Sequence, residues 1–381
     1  RGGAPIVPPG GGRGGRMNAR PLAGLLLGAL SMLGAWSACR RASAPEGFSP
    51  KPALERLEAL HAKTVYFNGP VFREVQKLAP AWLPESDRGD FSPRVRALAQ
   101  AAQSPKLFRQ MDRQERFDAL LLFGDPIQYK PLLEHLIQSG DWVLDWVDPA
   151  SLVYVRGRVE TITMERIQAA ARAWEGAPRR RRAEALAGMV DRLVAAHRKE
   201  TGAELLKLAR EVDSHSEAVW VAEGNYRLAR GEWAKAVDAA GEALRMDPRN
   251  RPARSVKAQG LYYLRRFLQA YDLSQGLLHD SPDDPVMLLN HAKIAHEVRA
   301  FEEEIEILRR LIAMAEKEER STSWYRVFLG QALASTGKGP EALAAFRLAL
   351  QDPELPQEQR AFATEAMRRV ETMLAPIRVT K

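Results

Sequence analysis

The sequence predicts a mainly α fold, an α-solenoid of antiparallel helix pairs preceded by a small α/β domain. Three observations predict it. Between Glu217 and Pro353 a pattern of small, aromatic and proline residues returns about every 34 residues. Each copy carries two apolar stripes at helical spacing. Residues 52–160 instead mix short apolar runs with Asn-Gly-Pro, Gly-Asp-Pro and Asp-Pro breaks, the pattern of strands between turns.

Four copies of the repeat can be aligned. Residues 217–250 carry Trp220, Gly224, Gly231, Trp233, Ala236, Ala243 and Pro248 in order. Residues 251–284 hold Arg254, Ala258, Arg265, Phe267, Ala270, Leu277 and Pro282 in the same slots. Residues 285–318 give Leu288, Ala292, Arg299, Phe301, Glu304 and Leu311. After a short insertion, residues 323–353 give Gly330, Gly337, Ala342, Phe346, Ala349 and Pro353. This spacing and slot chemistry resemble the tetratricopeptide repeat (TPR) family over roughly a third of the chain. Glu223 and Glu304 stand where that family places a large apolar residue and an alanine.

Each element has a local reason. Gly224 with Ala236, and Ala258 with Ala270, are small where two helices must approach. Trp233, Phe267 and Phe301 are large enough to fill the space behind each turn. Asp247-Pro248 and Ser281-Pro282 end the pairs, because the residue before proline avoids the helical region. Ser281, Asp283 and Asp284 read as helix-start residues. One pair cannot bury its own apolar face, so stacked pairs share a core. Residues 183–216 read as a degenerate first pair broken near Thr201-Gly202, and 354–381 as a capping helix and tail. Residues 161–182 read as a helix and an Arg-rich linker; the dipole disfavours arginine at a helix start, so Arg179 to Arg182 are expected to precede the next helix.

Within 52–160, Leu54 to His61 reads as a helix and Thr64 to Phe67 as a strand. Helices are expected at 71–78, 94–103 and 105–117, with a loop at 82–93. Ala119 to Phe123 is a short, continuous apolar run, which suits a strand buried on both faces. Leu132 to Ile137 is an amphipathic helix ending near Gly140. Trp142, Leu144 and Trp146 alternate with Val143, Asp145 and Val147, and Asp148-Pro149 turns the chain back into Leu152 to Val155, a hairpin. The segment 117–156 resembles the soluble tail of polytopic bacterial membrane glycosyltransferases. That likeness implies a docking role beside such enzymes, not their activity.

The N-terminus reads differently. Residues 1–16 are Gly, Pro and Arg with almost nothing to bury, a disordered or non-native upstream segment. From Met17 the chain has the layout of a secretory signal: Arg20, an uncharged stretch from Pro21 to Ala38, then Cys39. The ending Trp36-Ser37-Ala38-Cys39 resembles a bacterial lipoprotein signal, which implies lipidation of Cys39. An ordinary cleaved signal and a retained membrane span stay open. All three export the body of the protein and place it on the periplasmic or cell-surface side of a bacterium, and residues 40–51 then read as a tether. The formal net charge is +8, yet residues 1–50 hold six arginines against one acid, Glu46. Most of the excess therefore lies outside the folded body, which argues against a nucleic-acid partner.

No catalytic constellation is legible. The histidines (His61, His135, His197, His215, His279, His291 and His296) form no zinc-peptidase pattern. His291 and His296 stand five apart, about 140° around a helix, and read as exposed or groove-facing. No phosphate loop or nucleophile elbow occurs. The chain is read as non-enzymatic, with no cofactor and no metal.

The family resemblance implies that the first helix of each pair lines a concave groove. Asn225, Gln259, Lys293 and Gln331 occupy equivalent slots there and are all polar. Beside them stand Tyr262, Tyr263, His296 and Trp324. Amides that bond a peptide backbone, next to rings that bury its side chains, suit an extended protein or peptide ligand of the cell envelope. Two functional readings follow: a membrane-tethered adaptor or scaffold binding through the groove, or an accessory subunit of an envelope polysaccharide system docking through the α/β domain.

Overall fold

An apolar strand such as Ala119–Phe123 needs cover on both faces. In the computed structural model, which describes residues 48–68, 75–77, 93–157, 162–317, 321–353 and 355–374, it is the second strand of a four-stranded sheet. Strand β1 (Val65–Phe67) runs parallel to β2 (Ala119–Phe123); β4 (Ser151–Arg156) is antiparallel to β2, and β3 (Trp142–Val147) is the antiparallel edge, giving the order β1-β2-β4-β3. Ala119, Leu121 and Phe123 share one core with Leu54 and Leu57 of helix α1 (Lys51–Ala59). Leu120 and Leu122 face the opposite core with Tyr66, Leu144, Leu152 and Tyr154. Helices α2 (Pro93–Ala101), α3 (Pro105–Glu115) and α4 (Lys130–Ser139) belong to that second layer. Of the expected helix at 71–78 only 75–77 is described, and the loop at 82–93 and the signal segment lie outside the described residues, save for position 93, which opens α2.

The hairpin departs from strict alternation. A bulge between Leu144 and Trp146 turns Asp145 inward, where it is fully buried. Its carboxylate is held by Arg56 (2.6 Å) from α1 and Arg166 (3.0 Å) from α5 (Met164–Arg172). The buried charge is tolerated because two guanidinium groups meet it. At the turn, Asp148 Oδ1 accepts from the Ala150 and Ser151 N–H groups, both at 2.8 Å.

The sheet does not end where the solenoid begins. Helix α6 (Arg179–Ala195) lays Leu186, Met189, Val190 and Leu193 into the same core as Leu120 and Leu152, and that core continues into Val219, Ala222 and Tyr226. Arg192 is buried and donates to Gly124 O at the end of β2 (3.0 Å). Gly188 lets α6 approach the hairpin turn, since a Cβ there would stand 3.0 Å from Pro149 O. The arginine run does not precede α6 but opens it: Arg180 pairs with Glu184 and Glu217, and Arg179 Nε donates to Val212 O. Acids on neighbouring turns answer the unfavourable dipole. Phe48, expected within a free tether, is buried against Trp174 (4.8 Å) with Arg181 over its face (4.2 Å).

From α6 onward the chain is a stack of antiparallel pairs: α6 with α7 (Lys199–Val212), α8 (Glu217–Ala229) with α9 (Trp233–Met246), α10 (Arg251–Tyr263) with α11 (Phe267–Asp280), α12 (Pro285–Glu297) with α13 (Phe301–Lys317), and α14 (Ser323–Ser335) with α15 (Gly339–Leu350). Helix α16 (Gln357–Leu374) covers the last pair. Asn250 and Asp284 cap α10 and α12 with their side chains. A Cβ on Gly224 would stand 2.6 Å from Val256 and 3.6 Å from Ala236 O, so this glycine sets the contact of α8 with both α9 and α10.

Each pair turns in the same way. His197, Gly231, Arg265, Arg299 and Gly337 all take left-handed backbone (φ 58, 73, 61, 64 and 78°). The next residue's N–H returns to a carbonyl five positions back: Arg198 to Leu193 (2.7 Å), and Glu232 to Arg227, Arg266 to Leu261, Ala300 to Ala295 and Lys338 to Leu333 (all 2.9 Å). This is the Schellman closure of a helix. It places the break of the first pair at His197, not at Thr201-Gly202; Gly202 lies inside α7, where a Cβ would stand 3.5 Å from Val194. Left-handed backbone is strained for any residue with a Cβ, by about 1 kcal/mol. Replacing Arg265 by glycine should therefore stabilise the chain by about 0.5–1 kcal/mol, read as a higher urea midpoint at unchanged slope. A lower midpoint would show that the Arg265 guanidinium, 5.9 Å over the Phe267 ring, outweighs the strain.

Candidate functional site

The polar slots lie on the first helices of successive pairs: Asn225 on α8, Gln259 on α10, Lys293 on α12 and Gln331 on α14. The structure adds a fifth member. Asp191 on α6 stands one repeat before Asn225, and Asn225 Nδ2 donates to its Oδ1 at 3.1 Å. Burial, together with the nearby Asp125 carboxylate, lifts Asp191 to about 7 against the pull of Asn225 and Arg192. The ladder thus runs acid, amide, amide, amine, amide. The 34-residue period applied backwards from Asn225 leads to Asp191; the signal is hidden because the first pair lacks the aromatic and proline landmarks of the others.

The rungs are held differently. Gln259 is buried (8% exposed), its Nε2 meets Ser255 Oγ at 3.4 Å, and its Oε1 has no partner among the described residues. Lys293 keeps part of its surface open but is crowded by protein atoms. Burial, and then the charge of Lys130, push its amine down to about 7. His296, one turn on, places Nδ1 2.9 Å from the buried Glu304 and Nε2 3.0 Å from Gln331 Nε2, a bond in which the amide donates to a neutral ring. Burial opposes charge on that ring, but the Glu304 bond and the Glu304 and Glu297 charges together hold its pKa above the ordinary value.

The aromatic members are less free than the sequence suggests. Tyr263 stacks on Trp233 (centroids 4.2 Å apart), and Tyr262 meets Phe267 edge-on (5.6 Å) while its hydroxyl bonds Glu297. Burial raises both phenols, Tyr263 to about 12. Each ring thus spends one face on the turn behind it. Trp324 packs with Phe328 (5.7 Å) against the core of the last pairs. His291 is neither exposed nor groove-facing. It is fully buried, with Nδ1 2.7 Å from Ser274 Oγ and Nε2 3.0 Å from Glu303, and it ties α11, α12 and α13 together.

The two slots that depart from the repeat pattern each bury a carboxylate against a basic side chain. Glu223 is buried (4% exposed) and meets Arg227 (2.5 Å) and Arg210 (3.0 Å), joining α8 to α7. Glu304 is buried (3% exposed) on the His296 side of α13.

The repeats are TPR-type in fold. No protein-family model matches the chain, and no curated protein matches its sequence. Among solved structures it is similar to MamA from Desulfovibrio magneticus RS-1 (15% identity, TM-score 0.39, 44% of this chain and 92% of that one). It is also similar to YrrB, a TPR protein with an unusual peptide-binding site (14%, 0.40, 47% and 90%), and to a tetratricopeptide repeat protein from Parabacteroides merdae (14%, 0.41, 57% and 87%).

The raised Asp191 fixes the sign of a pH effect. Its folded pKa of about 7 lies above its ordinary 3.8. Its contribution to stability is therefore full below that ordinary value and is lost as pH rises toward 7. Asp191→Asn cannot ionise, so its urea midpoint relative to the wild type should climb between about pH 4 and 7 and then level off. A constant offset across that range would remove Asp191 as the titrating group.

Proposed function

We propose that this chain is an exported, membrane-tethered adaptor whose groove along the first helices holds an extended peptide or protein segment of the bacterial cell envelope. The observation that carries the reading is the ladder itself. Polar side chains recur at one slot on five successive first helices, a position where a plain solenoid would need only solvent contact. Their amides suit backbone groups of an extended chain, and Trp324, Tyr262 and Tyr263 supply ring edges beside them. Export rests on the apolar run from Pro21 to Ala38 and on Cys39, which lie outside the described residues. Among the described residues no helix is long and apolar enough to cross a membrane. The proposed role is non-catalytic and needs no cofactor.

An arrayed library of unstructured peptides tests the groove. Asn225→Arg combined with Gln331→Arg places a bulky cation at two partly open rungs outside the core. Peptides held by the wild type should lose about tenfold or more in affinity, the effect of blocking one or two polar contacts. Leu268→Arg, at a residue 73% exposed on a second helix, should leave them unchanged. Equal binding by the blocked variant would remove the groove as the binding surface. For the tether, Cys39→Ser should move the protein from the membrane fraction to the soluble one. Retention in membranes would instead assign an uncleaved span.

A further inference from the structure

One rung of the ladder is bonded to a titratable ring. Gln331 Nε2 stands 3.0 Å from His296 Nε2, and Nδ1 of that ring stands 2.9 Å from Glu304 Oε2. An amide nitrogen can only donate. The ring must therefore accept at Nε2 and carry its proton on Nδ1, toward the carboxylate. His296 comes from α12, Glu304 from α13 and Gln331 from α14, so three helices fix this chain of bonds. Phe301 of α13 meets the ring edge-on at 5.5 Å. On the ring's own helix, Glu297 adds a second negative charge and bonds the Tyr262 hydroxyl of α10, and Lys293 stands one turn back. Glu304 is closed off (3% exposed), whereas His296 and Gln331 are both partly open.

A neutral ring thus takes the amide by its nitrogen and leaves Gln331 Oε1, an acceptor, for the groove. Protonation puts an N–H at His296 Nε2, and two donors cannot share one bond. The two amide orientations are equivalent in shape. A half-turn about the last bond of Gln331 therefore brings Oε1 to the charged ring and turns both N–H donors outward. We propose that His296 is a positioning residue that sets which face of Gln331 a ligand meets. With the ring neutral, the rung accepts from a peptide N–H; with the ring charged, it donates to a peptide carbonyl. The ligand in this statement rests on the groove reading, but the coupling of ring to amide stands without it. Burial opposes charge on the ring, yet the Glu304 bond and the Glu304 and Glu297 charges outweigh it and hold the pKa above the ordinary 6.5. The exchange of faces therefore occurs above that value, in the range where histidine serves as a switch.

Nuclear magnetic resonance of the full chain tests the coupling with no ligand present. The His296 ring and the Gln331 amide are assigned by their loss in His296→Gln and Gln331→Met. At high pH the ring should carry its proton on Nδ1. As it charges, with a midpoint above 6.5, the Gln331 amide should shift with the same midpoint. Glu304→Gln keeps the shape but removes the charge that favours the imidazolium, so the ring's proton affinity should fall about tenfold or more, and the amide should follow. An amide that ignores the titration of His296, or a ring protonated on Nε2 at high pH, overturns the proposal. Library peptides without ionisable groups then read the groove. Their affinity should change about fivefold between about pH 6 and about pH 8, the worth of one hydrogen bond. Asp191 and Lys293 titrate in the same range, so the change is read against Gln331→Met, in which it should shrink. An equal pH response in both chains overturns the ligand-facing role. A coupled amide in a chain that holds no peptide would keep the ring–amide coupling and remove the groove; peptides held while the amide ignores the ring would do the reverse.

Discussion

The packing of α6 on the sheet is the contact on which everything downstream depends. A helix pair in a solenoid has two apolar faces, and each must be covered by a neighbour. At the start of the stack no earlier pair exists. Leu186, Val190 and Leu193 are covered instead by Leu120, Leu122 and Leu152 of the sheet, within one continuous core. Arg192 then locks the registration by bonding the carbonyl of Gly124 at the end of β2. The α/β region therefore caps the solenoid at its N-terminal end and is continuous with it through one core. It also fixes where α4 and the turn before it stand, and through them Asp125 and Lys130.

Much of this is legible in the sequence because it depends on size and period. Small residues at Gly224, Ala236 and Gly330, large rings at Trp233 and Phe346, and the closing prolines Pro248, Pro282 and Pro353 are read directly, since only such volumes and breaks fit those slots. The hairpin and the buried strand are legible for the same reason. What escapes is set by backbone geometry or by distant partners. The first turn falls at His197 because the Schellman closure accepts a histidine in left-handed backbone, whereas sequence reading favours the glycine five residues later. Asp145 points inward because a bulge shifts the alternation, and a bulge has no marker when the extra residue is not glycine. The burial of His291 follows from Ser274 and Glu303, which lie on other helices.

The acids that break the expected patterns share a logic. Glu223, Glu304 and Asp145 are each almost completely buried, and each is met by a basic side chain from another element. Burying such pairs adds little net stability, because desolvation offsets most of the attraction. Removing one partner is costly, though, so the pairs punish any arrangement that separates them. Glu223 pins the first repeat to the degenerate pair before it, and Glu304 pins His296 in the position from which it reaches Gln331. The departures from the family pattern therefore hold particular repeats in particular register, a task that a uniformly apolar core performs weakly.

This register matters for the ladder. Equivalent slots on successive helices line up only if neighbouring pairs keep the same offset, and the repeated turn geometry enforces that offset from His197 to Gly337. The row is not uniform, however. Its acid, Asp191, stands on α6, the helix seated on the sheet, and its amine, Lys293, stands three repeats on, on α12. The position of every rung is therefore counted from the same contact that starts the stack.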